Sequence, residues 1–270
     1  VFYDGRSFLH LDLIRRIRRE TLRGVVDAEG IDVALVKFPR RGSFEDPTRA
    51  FEHFFLHDPE WALVYFDDIA LLFLRRTPEW AGWIAAHEDR SLHPATLSFE
   101  RGDPAVPAEL DRAVSRTRCS AVAHLLRARY FQRSNPARSI HDLAVGLVCD
   151  PYNGVLLNDL GVLRLQGGET AAACTLFEAA HRADRQALSP RINLALCDLA
   201  VGDIEGAKER LRKIVARAPT QPLALYHLAR LLAESGDPDA PRFLHQALAH
   251  IKDPDLRREL ENLLSKSPPG

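Results

Sequence analysis

Gly168, Gly202 and Gly236 are each 34 residues from the next, and no other feature constrains this chain as strongly. A spacing of that length marks a repeated supersecondary unit, one that buries its apolar face only when neighbours stack against it. With this glycine as position 15, units begin at Gly154, Leu188 and Pro222, preceded by a degenerate one at Ser120. Position 7 is then Leu126, Leu160, Leu194 and Leu228, and position 8 is small in the last three: Gly161, Ala195 and Ala229. Ala173 and Ala207 hold position 20, Leu143, Phe177 and Leu211 position 24, and Pro151 and Pro219 position 32. The pattern describes two antiparallel helices that approach closely where residues 8 and 20 are small, with the large residue 24 filling the adjoining space. Proline at 32 stops the second helix before the next unit starts.

Over residues 120–252 this pattern resembles the tetratricopeptide repeat family, a solenoid of helix pairs. The last unit departs from it. Ala240 to Ala247 is one residue shorter than Ala173 to Ala180 and contains Pro241, so its second helix is expected to start late or kink. Asp253-Pro254 opens an amphipathic segment with Leu256, Leu260, Leu263 and Leu264 on one face, and 253–270 reads as a capping helix and tail. In this family the first helix of each unit lines a concave face through positions 2, 5, 9 and 12. The resemblance carries that role to His124, Ala128 and Phe131; Val155, Asn158, Val162 and Leu165; Ile192, Leu196 and Leu199; and Leu223, Tyr226 and Arg230.

Such a mostly apolar face suits an amphipathic helix, an extended apolar peptide, or a segment of the chain itself such as its N-terminal domain. Family members that clamp a peptide carboxylate place lysines there, and Lys37, Lys208, Lys213, Lys252 and Lys266 do not fall on it, so no clamp is expected. Position 11 is Arg164 and Asp198 in the middle units, which predicts an ion pair between them within the stack, the alternative being that both reach solvent.

Residues 1–76 read differently. Val1 to Asp4 and Ile31 to Phe38 have strand character, and Ser7 to Leu22 and Phe44 to His57 have helical character. Trp61 to Phe66 and Ile69 to Leu74 are apolar runs joined by the turn formers Asp67 and Asp68. The expected fold is therefore α+β overall, with a small N-terminal α/β (βαβαββ) domain of mixed parallel and antiparallel pairing, then an all-α solenoid. Residues 77–119 connect the two through helices at Pro78 to Glu88 and Pro107 to Arg118, with a Pro/Gly-punctuated loop between them.

The order "VFYDGR", "GIDVALVKFP", "DPEWALVYFDDIALLFLRR", "PEWAGWIAAHEDRSLHP" over residues 1–100 resembles the soluble C-terminal region of bacterial polytopic glycosyltransferase-like membrane proteins, relatives of the protein mannosyltransferases. In that family a multi-span domain precedes a small extracytoplasmic α/β domain, often followed by tetratricopeptide repeats. The resemblance implies an extracytoplasmic, periplasmic setting at a bacterial inner membrane, with a cytoplasmic location as the alternative. It implies a chain that begins downstream of a membrane region, in keeping with the lack of Met. The family's catalytic acid lies in the membrane region, so the resemblance supplies no catalytic residue here.

Other motifs are weak. A formal net charge of -1 provides no basic field for nucleic acid, and no apolar run approaches the roughly 18 residues of a membrane span. Asp4-Gly5-Arg6 lies between a strand and a helix, where phosphate could sit, but no glycine-rich nucleotide motif accompanies it. Arg15, Arg16, Arg18, Arg19 and Arg23 read as a lipid-facing patch or, with Asp12 and Glu20 interleaved, a solvated helix face. His53 and His57 have a metal-ligand spacing, yet two ligands do not make a zinc site, so neither metal nor cofactor is expected. Trp61, Trp80 and Trp83 suit either a sugar-stacking platform or the seam between sheet and connector. The four cysteines read by default as small buried apolar residues; Cys119 and Cys149 fall at the two ends of one helical hairpin, the single pairing the spacing allows if the compartment is oxidising. Three functions follow: a non-catalytic interaction scaffold serving a membrane glycosyltransferase-like protein, a free-standing repeat scaffold, or an α/β-domain enzyme acting on a phosphorylated or glycosyl substrate.

Overall fold

The computed structural model describes residues 22–38 and 54–266. The strand expected at Val1 to Asp4, the Asp4-Gly5-Arg6 turn, Arg15 to Arg19, His53 and the tail lie outside the described residues, as do most of the helices expected at Ser7 to Leu22 and Phe44 to His57. The chain divides into two compact units, residues 1–151 and 152–270.

In the first unit, helix α1 (Leu22–Ala28) precedes strand β1 (Val33–Lys37), and β2 (Trp61–Phe66) and β3 (Ala70–Arg75) form the expected hairpin. The sheet order is β1-β3-β2 and both pairings are antiparallel; no parallel pair occurs among the described residues. Strand alternation separates two apolar layers. Ala62, Val64 and Leu74 pack with Ile84 and Trp80, while Trp61 and Phe73 meet Phe55, whose ring lies 4.7 Å and 5.5 Å from theirs. The connector supplies α2 (Ala81–His87) and α3 (Val106–Arg116) as expected. Where the sequence suggests a loop, a short hairpin of β4 (Leu92–His93) and β5 (Ser98–Phe99) intervenes. Two-residue strands are too brief to carry a hydrophobic period.

Polar contacts lock this unit. Asp89 has a fully buried carboxylate that accepts from Arg112 at 3.0 Å and from Arg116, and its backbone N–H donates to Leu63 of β2 at 2.8 Å. Glu109 on α3 accepts from the backbone of Arg90 and Ser91 at 3.1 and 2.9 Å. The first repeat, α4 (Ala121–Phe131) and α5 (Pro136–Cys149), belongs to this unit. Asp68 receives the Ala121 and Val122 amides, each at 2.8 Å, so the hairpin turn caps α4. The companion Asp67 closes its own turn through the Ile69 and Ala70 amides. Cys119 and Cys149 are bonded, tying the ends of the helical hairpin.

The second unit comprises α6 (Gly154–Gln166), α7 (Thr170–Ala183), α8 (Leu188–Ala200), α9 (Ile204–Arg217), α10 (Pro222–Glu234), α11 (Ala240–His250) and α12 (Pro254–Lys266). Gly168, Gly202 and Gly236 take φ of +81°, +83° and +65° just after each first helix, a left-handed turn that favours glycine. A Cβ on Gly161 would meet the Phe177 ring at 2.6 Å, so positions 8 and 24 interlock as the repeat predicts. The helix containing Pro241 starts late, with proline in its first turn and 11 residues against 14 in α7 and α9. α12 buries Leu260 against α10 and α11, closing the stack.

Candidate binding surface of the helical repeats

The first helix of each repeat is rich in apolar residues, and the position along it decides what remains accessible. Position 5 is buried in all four repeats: His124 and Asn158 are 9% exposed, Ile192 1% and Tyr226 6%. These residues hold helices together and offer little surface, a correction to the groove inferred from the family pattern. His124 Nδ1 lies 3.1 Å from Asp142, which also accepts from Arg127 at 2.6 and 2.9 Å. Burial pulls the Asp142 carboxyl up, but the hydrogen bonds from His124 and Arg127 outweigh it and leave the group below its ordinary range. Asn158 accepts from Asn193 at 2.8 Å. Tyr226 donates to Glu259 of α12 at 2.7 Å, and burial followed by that bond pushes its hydroxyl up to about 12. The neighbouring His227 is lowered to about 4 by burial, then by Arg230.

Positions 2, 9 and 12 retain surface. In the second unit Val155, Val162, Leu165, Leu196 and Leu199 are half-buried and Leu223 is 49% exposed, with Arg230 half-buried at the far end. In the first unit Ala128 is buried and Phe131 lies beneath the Arg138 guanidinium, 4.0 Å from its ring centroid. Among the described residues no lysine stands on a repeat's first helix. Lys208 and Lys213 are on α9, paired with Glu205 and Glu209.

The expected Arg164 to Asp198 pair does not form. Arg164 reaches Glu169 at 2.7 Å, and Asp198 accepts from Arg210 at 2.7 Å. Each charge finds its partner within its own repeat, where the turn and the second helix are nearer than the next first helix. The three tryptophans do not make one platform either: Trp61 and Trp80 occupy opposite sheet layers, and Trp83 is exposed, stacked on His87. Arg23 pairs with Asp58 and Glu60. A second disulfide, Cys174 to Cys197, joins α7 to α8 and was not anticipated. Its partners lie in different repeats, so no hairpin spacing announces it.

A cavity of about 220 Å³ opens in the first unit beside Trp61, Leu63 and Leu92, with Arg76, Glu88 and Arg90 among its lining. Its charges are already engaged, Arg76 and Arg90 both with Glu88. Among the described residues no cluster of three or more His, Cys, Asp or Glu could hold a metal ion, and no helix is long and apolar enough to cross a membrane.

No protein-family model matches the chain, and no curated protein matches it. Solved structures do. TTC0263, a thermophilic TPR protein of Thermus thermophilus, aligns at 19% identity and a TM-score of 0.50, covering 58% of this chain and 88% of its own. PilW, described as a widely conserved type IV pilus biogenesis factor, aligns at 20% identity and 0.50, covering 59% and 77%. At such identities the likeness is one of fold, and the fold is a tetratricopeptide-like helical solenoid behind a small N-terminal sheet.

Proposed function

We propose that this chain is a non-catalytic protein-interaction scaffold whose second unit binds an apolar peptide segment of a partner protein. One observation carries the reading: Val155, Val162, Leu165, Leu196, Leu199 and Leu223 keep accessible apolar surface at equivalent positions of successive first helices. An extended or helical peptide with apolar side chains at matching intervals would bury that column. The test is a display selection for peptides that bind the whole chain, followed by Leu199→Glu and Leu223→Glu. Both leucines have solvent on one side, so the variants should keep their thermal midpoint while affinity drops at least about tenfold. Unchanged affinity in both would place binding elsewhere and sink the assignment.

The setting we propose is extracytoplasmic, as the soluble part of a membrane glycosyltransferase-like protein. Two disulfides support an oxidising compartment. Several apolar spans of about 20 residues encoded upstream would support the membrane reading. A start codon directly before Val1 would instead leave a free-standing scaffold.

A further inference from the structure

Of the two disulfides, one lies within a single repeat and the other crosses between two. Cys174 on α7 is bonded to Cys197 on α8, tying the second helix of one repeat to the first helix of the next. The apolar cluster at this joint is small. Ala173, Phe177 and Leu194 are buried with Cys197, and Cys174, Val162 and Leu165 pack against them. From Ile192 to Leu260, by contrast, α8 to α12 share one far larger cluster with no cysteine in it. Val162 and Leu165 also belong to the apolar column proposed to hold a peptide, and Leu196 and Leu199 of that column lie within two residues of Cys197 on α8. Helices α6 and α8 touch each other only slightly, whereas both pack on α7. The spacing between column residues of α6 and those of α8 is therefore set through α7, and the bond fixes α7 against α8.

A covalent bond holds two sulfurs nearer than two thiols can approach, so breaking it obliges this small cluster to repack. The helices themselves do not depend on the bond, since Gly161 interlocks with Phe177 between α6 and α7 and the larger cluster holds α8 to α12. We propose that the Cys174 to Cys197 bond is a redox gate on the peptide column: oxidised, it keeps the column residues of α6 and α8 in register, and reduction by a dithiol lowers affinity without unfolding the unit. The inference rests on the column being the peptide site. Cys174 is half-buried and Cys197 7% exposed, so attack falls on the Cys174 sulfur. One thiolate of the dithiol bonds to Cys174 Sγ and expels Cys197 as a thiolate, which takes up a proton. The second thiolate of the dithiol then bonds to the first and expels Cys174, which is protonated in turn. Two electrons and two protons pass from the dithiol to the protein, and the dithiol leaves as a disulfide.

The test uses the peptide selected against the whole chain. It is titrated with and without dithiothreitol into the unsubstituted chain and into Cys119→Ala/Cys149→Ala, where only the bond between repeats can respond. Trapping with iodoacetamide and mass measurement count the freed thiols, and far-UV circular dichroism follows the helices. The expected result in that variant is two trapped thiols, affinity lowered about tenfold, unchanged helix content, and recovery on reoxidation. Cys174→Ala/Cys197→Ala should bind weakly from the outset and ignore the reductant. Undiminished affinity after both thiols are trapped overturns the gate, as does a bond that dithiothreitol leaves intact in the folded chain. A loss of affinity that comes with loss of helix also overturns it, because the bond would then be a structural staple. Leu199→Glu and Leu223→Glu in the same titration separate the two readings. If they weaken binding while reduction does not, the gate alone fails; if both leave binding unchanged, the column fails and the gate with it.

Discussion

In the first unit carboxylates fasten one element to another, those of Asp89 and Asp142 buried, while in the second unit small side chains let the helices close on each other. Asp89 between Arg112 and Arg116, Asp142 between His124 and Arg127, and Asp68 at the head of α4 each fasten one element to another. Gly161 under Phe177, and the fully buried small residues Ala195 and Ala229 in one apolar cluster with Leu211 and Leu244, instead let neighbouring helices close on each other. The ionic joints are directional and costly to break on one side, since a charge is left behind. The steric joints are individually cheaper and recur with every repeat. Position 8 of the first repeat shows the exchange directly: it is Arg127, bonded to Asp142, where the later repeats have Gly161, Ala195 and Ala229.

The largest expected effect lies on the ionic side. Burial pushes the Asp89 carboxyl above its ordinary range even with two guanidinium groups upon it, so that ion triad is poorly solvated from the outset. Asp89→Ala would leave Arg112 and Arg116 without their ion-pair partner and should cost about 3–5 kcal/mol. All three tryptophans, Trp61, Trp80 and Trp83, are in the first unit, so tryptophan fluorescence during denaturation reads that unit alone. A change below about 1 kcal/mol would mean that these buried charges behave like surface pairs, and the contrast between the units would collapse.

The same contrast explains how much of the molecule is legible in its residues alone. The solenoid is legible because its packing rule is written at a fixed interval: Gly168, Gly202 and Gly236 mark the turns, and residues 8, 20 and 24 mark the contacts. The delayed helix at Pro241 and the Cys119 to Cys149 bond follow from the same frame. The hairpin of β2 and β3 is visible as two apolar runs around a turn. The cap that Asp68 provides is not, because its partners lie more than fifty residues away and no periodicity links them. The Arg164 and Asp198 expectation fails for the complementary reason: a long charged side chain takes the nearest partner, and the repeat frame does not specify rotamers. Position 5 shows the limit of family analogy, since the residues there are fixed by how tightly each first helix is enclosed.

A smaller effect is expected on the steric side. Gly161→Ala places a methyl group where the Phe177 ring already stands, and the helices must part or the ring must turn at about 1–3 kcal/mol. Far-UV circular dichroism, which follows the helices, should record the loss while the tryptophan transition stays in place. Adding Phe177→Leu should restore part of it, because the two substitutions act on one contact. Were the double variant to lose the sum of the two single losses, the interlock would be absent and the small residue at position 8 would owe its place to something other than close approach.

The smallest effect tests the joint where the two chemistries meet. Asp68 accepts from the amides of Ala121 and Val122 and, at 3.1 Å, from the Ser120 hydroxyl, which itself accepts from Ala123. Ser120 is wholly buried and Ala121 nearly so, but Asp68 itself is exposed, so water entering in its place recovers part of the bonding. Asp68→Ala should therefore cost about 1 kcal/mol, the ordinary loss for a helix cap. Asp68→Asn keeps one acceptor oxygen and should lose less. The loss belongs to the tryptophan-monitored transition, since hairpin and α4 lie in one unit. If instead the tryptophan signal held firm while helix content fell, the sheet and the first repeat would be separable bodies, and the ionic joints would fasten each part internally without binding one to the other.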